Sequence, residues 1–73
     1  MATKADITIA KLIDDGWTIS HTALHPTYKT AGTVSPMQTR KGLDYCRVHH
    51  GKSVPAHGYS YQLTTVMCKR VDA

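Results

Sequence analysis

The spacing of apolar residues changes along this chain, and each spacing predicts a different element. Ile9, Leu12 and Ile13 recur at i, i+3 and i+4, which places them on one helical stripe. Ahead of them, Thr3-Lys4-Ala5-Asp6 has the form of a capping box with Asp at the third helical position. The Thr hydroxyl accepts from a free backbone N–H, and the carboxylate suits the positive end of the helix dipole. Gly16 supplies the stop, because glycine takes the left-handed conformation that ends a helix. Asp14 and Asp15 lie at the unfavourable end of the dipole and weaken the last turn. Ile7 and Ile9 also alternate as a short strand would, but the helix accounts for more of the segment.

From Trp17 the period shortens to two. Trp17, Ile19 and Ala23 are predicted to point one way and Thr18, Ser20 and Thr22 the other, a strand that His25-Pro26 breaks. A helix–turn–helix reading of residues 10–24, turning at Gly16, is weaker. Trp17-Thr18-Ile19 favours extended backbone, and residues 17–24 hold no Arg or Lys for phosphates. In residues 25–42, Ser35-Pro36 has the form of a cap for a short helix through Lys41 ended by Gly42. A loop or an irregular edge strand fits that segment nearly as well. Residues 43–50 and 59–71 read as strands around a wide Gly- and Pro-marked turn at 51–58.

An antiparallel pairing with His50 opposite Tyr59 separates the two faces. Cys46, Val48, Tyr59, Tyr61, Leu63 and Met67 fall on one, and Tyr45, Arg47, His49, Ser60, Gln62 and Thr64 on the other. The first set is expected to be buried and the second exposed. The fold class expected is α+β: a single domain, 1–73, with one N-terminal helix packed on a small antiparallel sheet and a C-terminal hairpin. Seventy-three residues are too few for a deep enzyme pocket and a sizeable core together. The absence of Glu and the abundance of Thr lean the same way, towards strands with one helix.

Charge adds what periodicity does not. Residues 1–28 carry Lys4 and Lys11 against Asp6, Asp14 and Asp15, a net of −1. The rest carry Lys29, Arg40, Lys41, Arg47, Lys52, Lys69 and Arg70 against Asp44 and Asp72, a net of +5. A basic half on so small a body favours an acidic partner, either nucleic acid or an acidic protein surface. In the proposed register Arg40 lies opposite Lys69 and Lys41 opposite Cys68, so Arg40, Lys41, Lys69 and Arg70 gather at the open end of the hairpin. Arg47 joins them on the exposed face beside Tyr45, a candidate stacking residue. Trp17 and Tyr28 are further anchors where they are exposed.

Chemistry is harder to find. Cys46-x-x-His49-His50, His57 and Cys68 contain zinc-ligand types, but the spacings do not match the usual pairs. The same register separates the two cysteines by roughly 17 Å at about 3.3 Å per residue. A histidine patch of His49, His50 and His57 around the turn is the better reading, as a surface that gains charge in mild acid. Cys46 and His49 alternate onto opposite faces, so no nucleophile pair forms. No nucleophile elbow, phosphate loop or carboxylate pair occurs. No enzymatic activity, metal or cofactor is expected. No apolar run is long enough to span a membrane, and the N-terminal residues lack the apolar stretch of a secretory signal. A cytoplasmic protein with reduced thiols is therefore expected, as a monomer.

From Met1-Ala2-Thr3-Lys4-Ala5-Asp6 through Cys68-Lys69-Arg70-Val71-Asp72-Ala73, the chain resembles the very small, basic early proteins that lytic bacteriophages make to take over host RNA polymerase. The likeness covers the full length and general character and rests on no diagnostic motif. It implies binding to bacterial RNA polymerase near the N-terminal region of the β′ subunit and the β flap. It further implies σ displacement that inhibits host initiation, and antitermination on phage templates. The candidate contact residues Arg40, Lys41, Tyr45, Arg47, Lys69 and Arg70 come from the charge and face arguments, not from the likeness. Direct DNA or RNA binding through the same surface is the alternative.

Overall fold

The computed structural model describes residues 2–71. The helix α1 spans Lys4–Asp14 and opens with the capping box read from the sequence. The Asp6 backbone N–H donates to Thr3 Oγ1 at 3.1 Å, and the Thr3 N–H donates to an Asp6 carboxylate oxygen at 3.2 Å. Those two bonds hold the Asp6 carboxyl below the ordinary carboxylate range. At the other end Gly16, in the left-handed region, turns the chain into the first strand.

Four strands follow: β1 Thr18–His25, β2 Val34–Pro36, β3 Leu43–Ala56 and β4 Tyr59–Arg70. They form one antiparallel sheet in the order β1-β4-β3-β2, with the C-terminal hairpin at its centre. The α+β class, the single N-terminal helix on the sheet and the C-terminal hairpin are thus all present. The core lies where α1 crosses the sheet. Ala5, Cys46, Val48 and Met67 are buried there, with Ile9, Leu12 and Trp17 packed around them. Eleven helical residues reach about 16 Å, whereas the molecule is 44 Å long, so α1 covers only part of the sheet. Beyond it the hairpin runs on as a two-stranded arm ending at Ala56 and Tyr59.

Four expectations need correction. The wide turn at 51–58 is not there: β3 continues to Ala56 and reverses through His57 and Gly58 alone. Both have positive φ, 52° and 78°, as the commonest two-residue hairpin turn demands. Tyr59 therefore pairs with Ala56, not with His50. Along the lower hairpin Cys46 faces Met67 and Asp44 faces Lys69, a register displaced by four residues from the one expected. An even displacement leaves every side chain on its expected face, so the division between faces survives the wrong register.

The second correction concerns β1. The ladder shifts between Ile19 and His21, a bulge at Ser20. The extra residue inverts the alternation, so Thr22 and Leu24 share the helix side with Ile19. His21, Ala23 and His25 turn to the other side, opposite Val66, Thr64 and Gln62. Third, residues 35–41 form no helix. Val34, Ser35 and Pro36 make a short edge strand instead, and Pro36, which lacks an N–H, costs least at an edge. Fourth, the face opposite the helix is not open. His49 and Thr64 are fully buried and Gln62 nearly so.

The connection between β1 and β2, residues 26–33, travels from one sheet edge to the other; its Lys29 reaches Ser35 on that face, while Gly32 near its end lies against Lys4 and Thr8 of α1. Its end continues the β2 pairing: the Gly32 N–H donates to the His49 carbonyl, and the His49 N–H donates to the Thr33 carbonyl. Gly51 lies against this segment, and a Cβ there would stand 2.9 Å from the Ala31 backbone nitrogen. A Cβ at Gly58 would meet nothing within 4 Å. Both glycines have positive φ, so both substitutions strain the backbone, but only one also collides. Gly58→Ala should cost about 1 kcal/mol, in line with strain alone. Gly51→Ala should cost at least about 2 kcal/mol, because backbone must also move. Urea denaturation of both variants checks the difference; equal losses would mean that the connection does not pack against β3.

Candidate partner-binding face

The functional candidates separate according to the side of the sheet they occupy. α1 carries Asp6 and Asp14, and Asp15 caps its C-terminus. Asp44 lies on the same side, lining a cleft with Leu12 and Trp17, and accepts from Thr39 Oγ1 at 2.6 Å. The helix-free side holds Tyr45, Arg47 and His49 of β3, His21 and His25 of β1, and Ser35 of β2. Among the described residues no carboxylate lies on that side. The helix side holds these four carboxylates together with Lys4, Lys11 and Lys69, whereas the cations of the other side have no carboxylate beside them.

The basic cluster expected at the open end of the hairpin is assembled there, by different pairings. Arg40 bridges Leu43 across a turn at Lys41-Gly42, and Leu43 pairs with Arg70. The Val71 N–H donates to the Gly42 carbonyl at 3.0 Å and ties the chain end to that turn. Arg40 and Lys41 do not face Lys69 and Cys68; those positions pair with Asp44 and Tyr45. Lys69 departs from the group, since its Nζ lies 3.6 Å from an Asp15 carboxylate oxygen, the one salt bridge among the described residues. Its charge is partly balanced and turned towards the helix end. Arg40, Lys41 and Arg70 remain exposed.

Tyr45 is half-buried and lines an open cleft of about 440 Å³ with Ser20, His21, Met37, Gln38, Arg40 and Val66. The cleft crosses the helix-free face from β1 to the residues after β2, so Tyr45 and Arg40 serve one concavity. The bulge at Ser20 places His21 there, whereas uninterrupted alternation would put it on the side of Ile19. Arg47 is not freely exposed: its guanidinium donates to Thr64 Oγ1 at 2.9 Å, and Thr64 Oγ1 donates to the Ala23 carbonyl at 2.8 Å. That chain of bonds fixes Arg47 above the central strand. Of the other anchors, Trp17 packs on the core and Tyr28 is exposed.

The histidine patch is not assembled. His49 is buried on the helix-free side, His50 bonds Thr65 Oγ1 at 2.7 Å on the helix side, and His57 sits in the distant hairpin turn. The cysteines are also nearer than the expected register made them. Cys46 pairs with Met67 and Cys68 with Tyr45, one position apart but on opposite faces. Both are free thiols, and no group of three metal-ligating side chains occurs among the described residues. Among the described residues no helix is long and apolar enough to cross a membrane. The chain matches no protein-family model, no curated protein and no solved structure.

Burial pushes the Cys46 thiol up, with the Cys68 thiol adding to the effect. A thiol reagent should accordingly modify one cysteine of the native protein quickly, Cys68, and reach Cys46 only on unfolding. Two equally fast equivalents would contradict the packing of Cys46 beneath the helix.

His49 is held neutral: burial disfavours its charged form first, and the positive charges of His25, Lys29, Arg47 and His50 follow. The unfolded chain takes up its proton as pH falls through about 6.5, whereas the folded chain resists until lower pH. The stability due to neutral His49 is complete above that pH and declines as pH falls towards the folded value. An NMR imidazole titration should place His49 below 6.5, and His49→Gln should flatten the acid limb of stability there. A value at or above 6.5 would show that the imidazole is solvated.

Proposed function

We propose that this chain acts by occupancy, as a phage-type transcription regulator that binds bacterial RNA polymerase in the host cytoplasm. On this reading it inhibits host initiation by displacing σ and promotes antitermination, near the β′ N-terminal region and the β flap. One observation carries the binding part: the helix-free face presents Arg40, Arg47 and Arg70 with Tyr45, and no described carboxylate opposes them. Such a face draws an acidic surface by long-range attraction and holds it through a few fixed contacts. The size and basic character shared with phage takeover proteins supply the identity of the partner. Cys46 and His49 do not form a nucleophile–base pair, since they lie on opposite faces.

Direct nucleic-acid binding is the second reading, favoured by Tyr45 beside Arg40 in an open cleft where a base can stack. Salt dependence separates the two. Affinity for duplex DNA should fall with log salt by about 0.9 per phosphate contacted. A polymerase contact anchored by apolar and main-chain groups should fall less.

Gel filtration with RNA polymerase core and holoenzyme, without DNA and at moderate salt, tests the proposal. Co-elution with core, with σ released from holoenzyme, is expected. Arg40→Glu with Arg70→Glu should abolish it, whereas Lys69→Glu should weaken it less, because Asp15 already balances Lys69. Absence of co-elution, together with steeply salt-sensitive binding to bare nucleic acid, would replace this reading with the second.

A further inference from the structure

The connection between β1 and β2 contributes to a basic cluster around His49, of which the readings above use only Arg47. Ser35 and Arg47 are cross-strand partners, so their side chains stand side by side. Lys29, from the connection, donates through Nζ to Ser35 Oγ at 2.9 Å. Ser35 Oγ also lies 3.3 Å from His49 Nε2. The His25 ring meets His49 edge-on at a centroid distance of 5.6 Å. The Thr27 N–H donates to His25 Nδ1 at 3.2 Å. Lys29, His25 and a shared hydroxyl thus gather around His49, and Arg47 stands at the cross-strand position beside Ser35 with its guanidinium bonded to Thr64.

Nothing among the described residues neutralises them. The one salt bridge is Lys69 with Asp15, and the described carboxylates belong to the helix side. Arg47 is half-buried and spends one donor on Thr64. A guanidinium offers five, and a half-buried cation without a counter-charge carries a desolvation cost. His49 is fully exposure-free, and its Nδ1 has no hydrogen-bond partner. An exposed lysine and a half-buried arginine near a buried ring nitrogen with no partner offer an anion two cations and no competing carboxylate.

We propose that the nook formed by Lys29, Ser35, Arg47 and His49, with His25 at its wall, binds a phosphate dianion. Charge decides the class: a lysine and an arginine match two negative charges, as borne by inorganic phosphate or a phosphomonoester. A phosphodiester carries one and leaves a cation unbalanced. Arg47 supplies the planar fork and Lys29 a mobile point charge, a pairing that suits tetrahedral oxygens. The ligand would replace the Lys29–Ser35 contact with charge-assisted bonds and tie residues 26–33 to β2 and β3. The site shares Arg47 with the proposed polymerase-binding face, but Lys29, Ser35 and His49 have no part in that reading, so the test rests on Lys29.

The test is a titration of the whole chain with inorganic phosphate, followed by ¹H–¹⁵N NMR, against sodium chloride at equal ionic strength. Saturable shifts are expected at the amides of Lys29, Ser35, Arg47 and His49, with chloride leaving them in place. Lys29→Gln, at an exposed position, should weaken binding by about tenfold, the order for one charge-assisted bond. Lys52→Gln, on the hairpin arm, should leave it unchanged. A nucleoside monophosphate should bind like inorganic phosphate, and a dinucleoside phosphodiester more weakly. Shifts that rise linearly and equally at Lys41 and Arg70 would overturn the site, as would full affinity in Lys29→Gln. A tighter phosphodiester would overturn the dianion assignment. Neither result alters polymerase co-elution, so the two proposals fail separately.

Discussion

A two-residue turn admits a single local register, and the β3–β4 hairpin is built on one. His57 and Gly58 both take left-handed backbone, which sets Ala56 opposite Tyr59 and starts the ladder. The shift between His49 and Ser53 then carries it into the lower register, where Cys46 meets Met67 beneath the helix. That meeting gives α1 its landing surface, because Ala5 closes on the same buried cluster. The outer strands depend on it in turn: β1 pairs only with β4 and β2 only with β3. Any slip in the central ladder would separate Cys46 from Met67 and Arg47 from Val66, and both faces would lose their organisation.

The two faces solve different physical problems. The helix side is a small apolar core of short side chains, stabilised by burial under one amphipathic helix. The other side is polar and still largely covered, so it must satisfy its groups one by one. Thr64 does this at the centre, accepting from Arg47 and donating to Ala23 across two strands. Gln62 Nε2 donates to Ser53 Oγ at 3.0 Å, but its Oε1 has no partner. The buried polar network is therefore incomplete in two places, His49 Nδ1 and Gln62 Oε1. A partly satisfied network stabilises less than an apolar layer of equal volume, so fold stability alone does not account for this composition.

How far the fold was legible in the residues depended on the kind of signal. Thr3, Asp6 and Gly16 mark the helix by local chemistry, and the helix lies where they put it. Alternation in β3 and β4 identified which side chains share a face, because period two is insensitive to an even displacement. It could not choose between registers, since Gly51-Lys52-Ser53-Val54-Pro55 looks like a turn by composition. His57-Gly58 held the decisive information, a two-residue turn that accepts left-handed backbone. The bulge at Ser20 left no compositional trace, which is why Ala23 was put with Ile19. Of the candidate contacts, the end cluster was legible because neighbours in sequence stay neighbours at a hairpin's open end. The link from Lys29 through Ser35 to His49 was not, for it depends on a long connection folding back across the sheet.

The helix side carries Asp6, Asp14, Asp15 and Asp44 against Lys4, Lys11 and Lys69, while Arg40, Arg47, Arg70 and Lys29 are associated with the other side, so the molecule is electrically polar across its thin axis of 15 Å. A body of this kind experiences a torque in an external field as well as a pull. Near any strongly negative surface it would rotate before touching, helix outward and sheet inward. Orientation, which normally slows the docking of one specific patch, would then be settled during approach, and random collisions would be less often wasted on the wrong side.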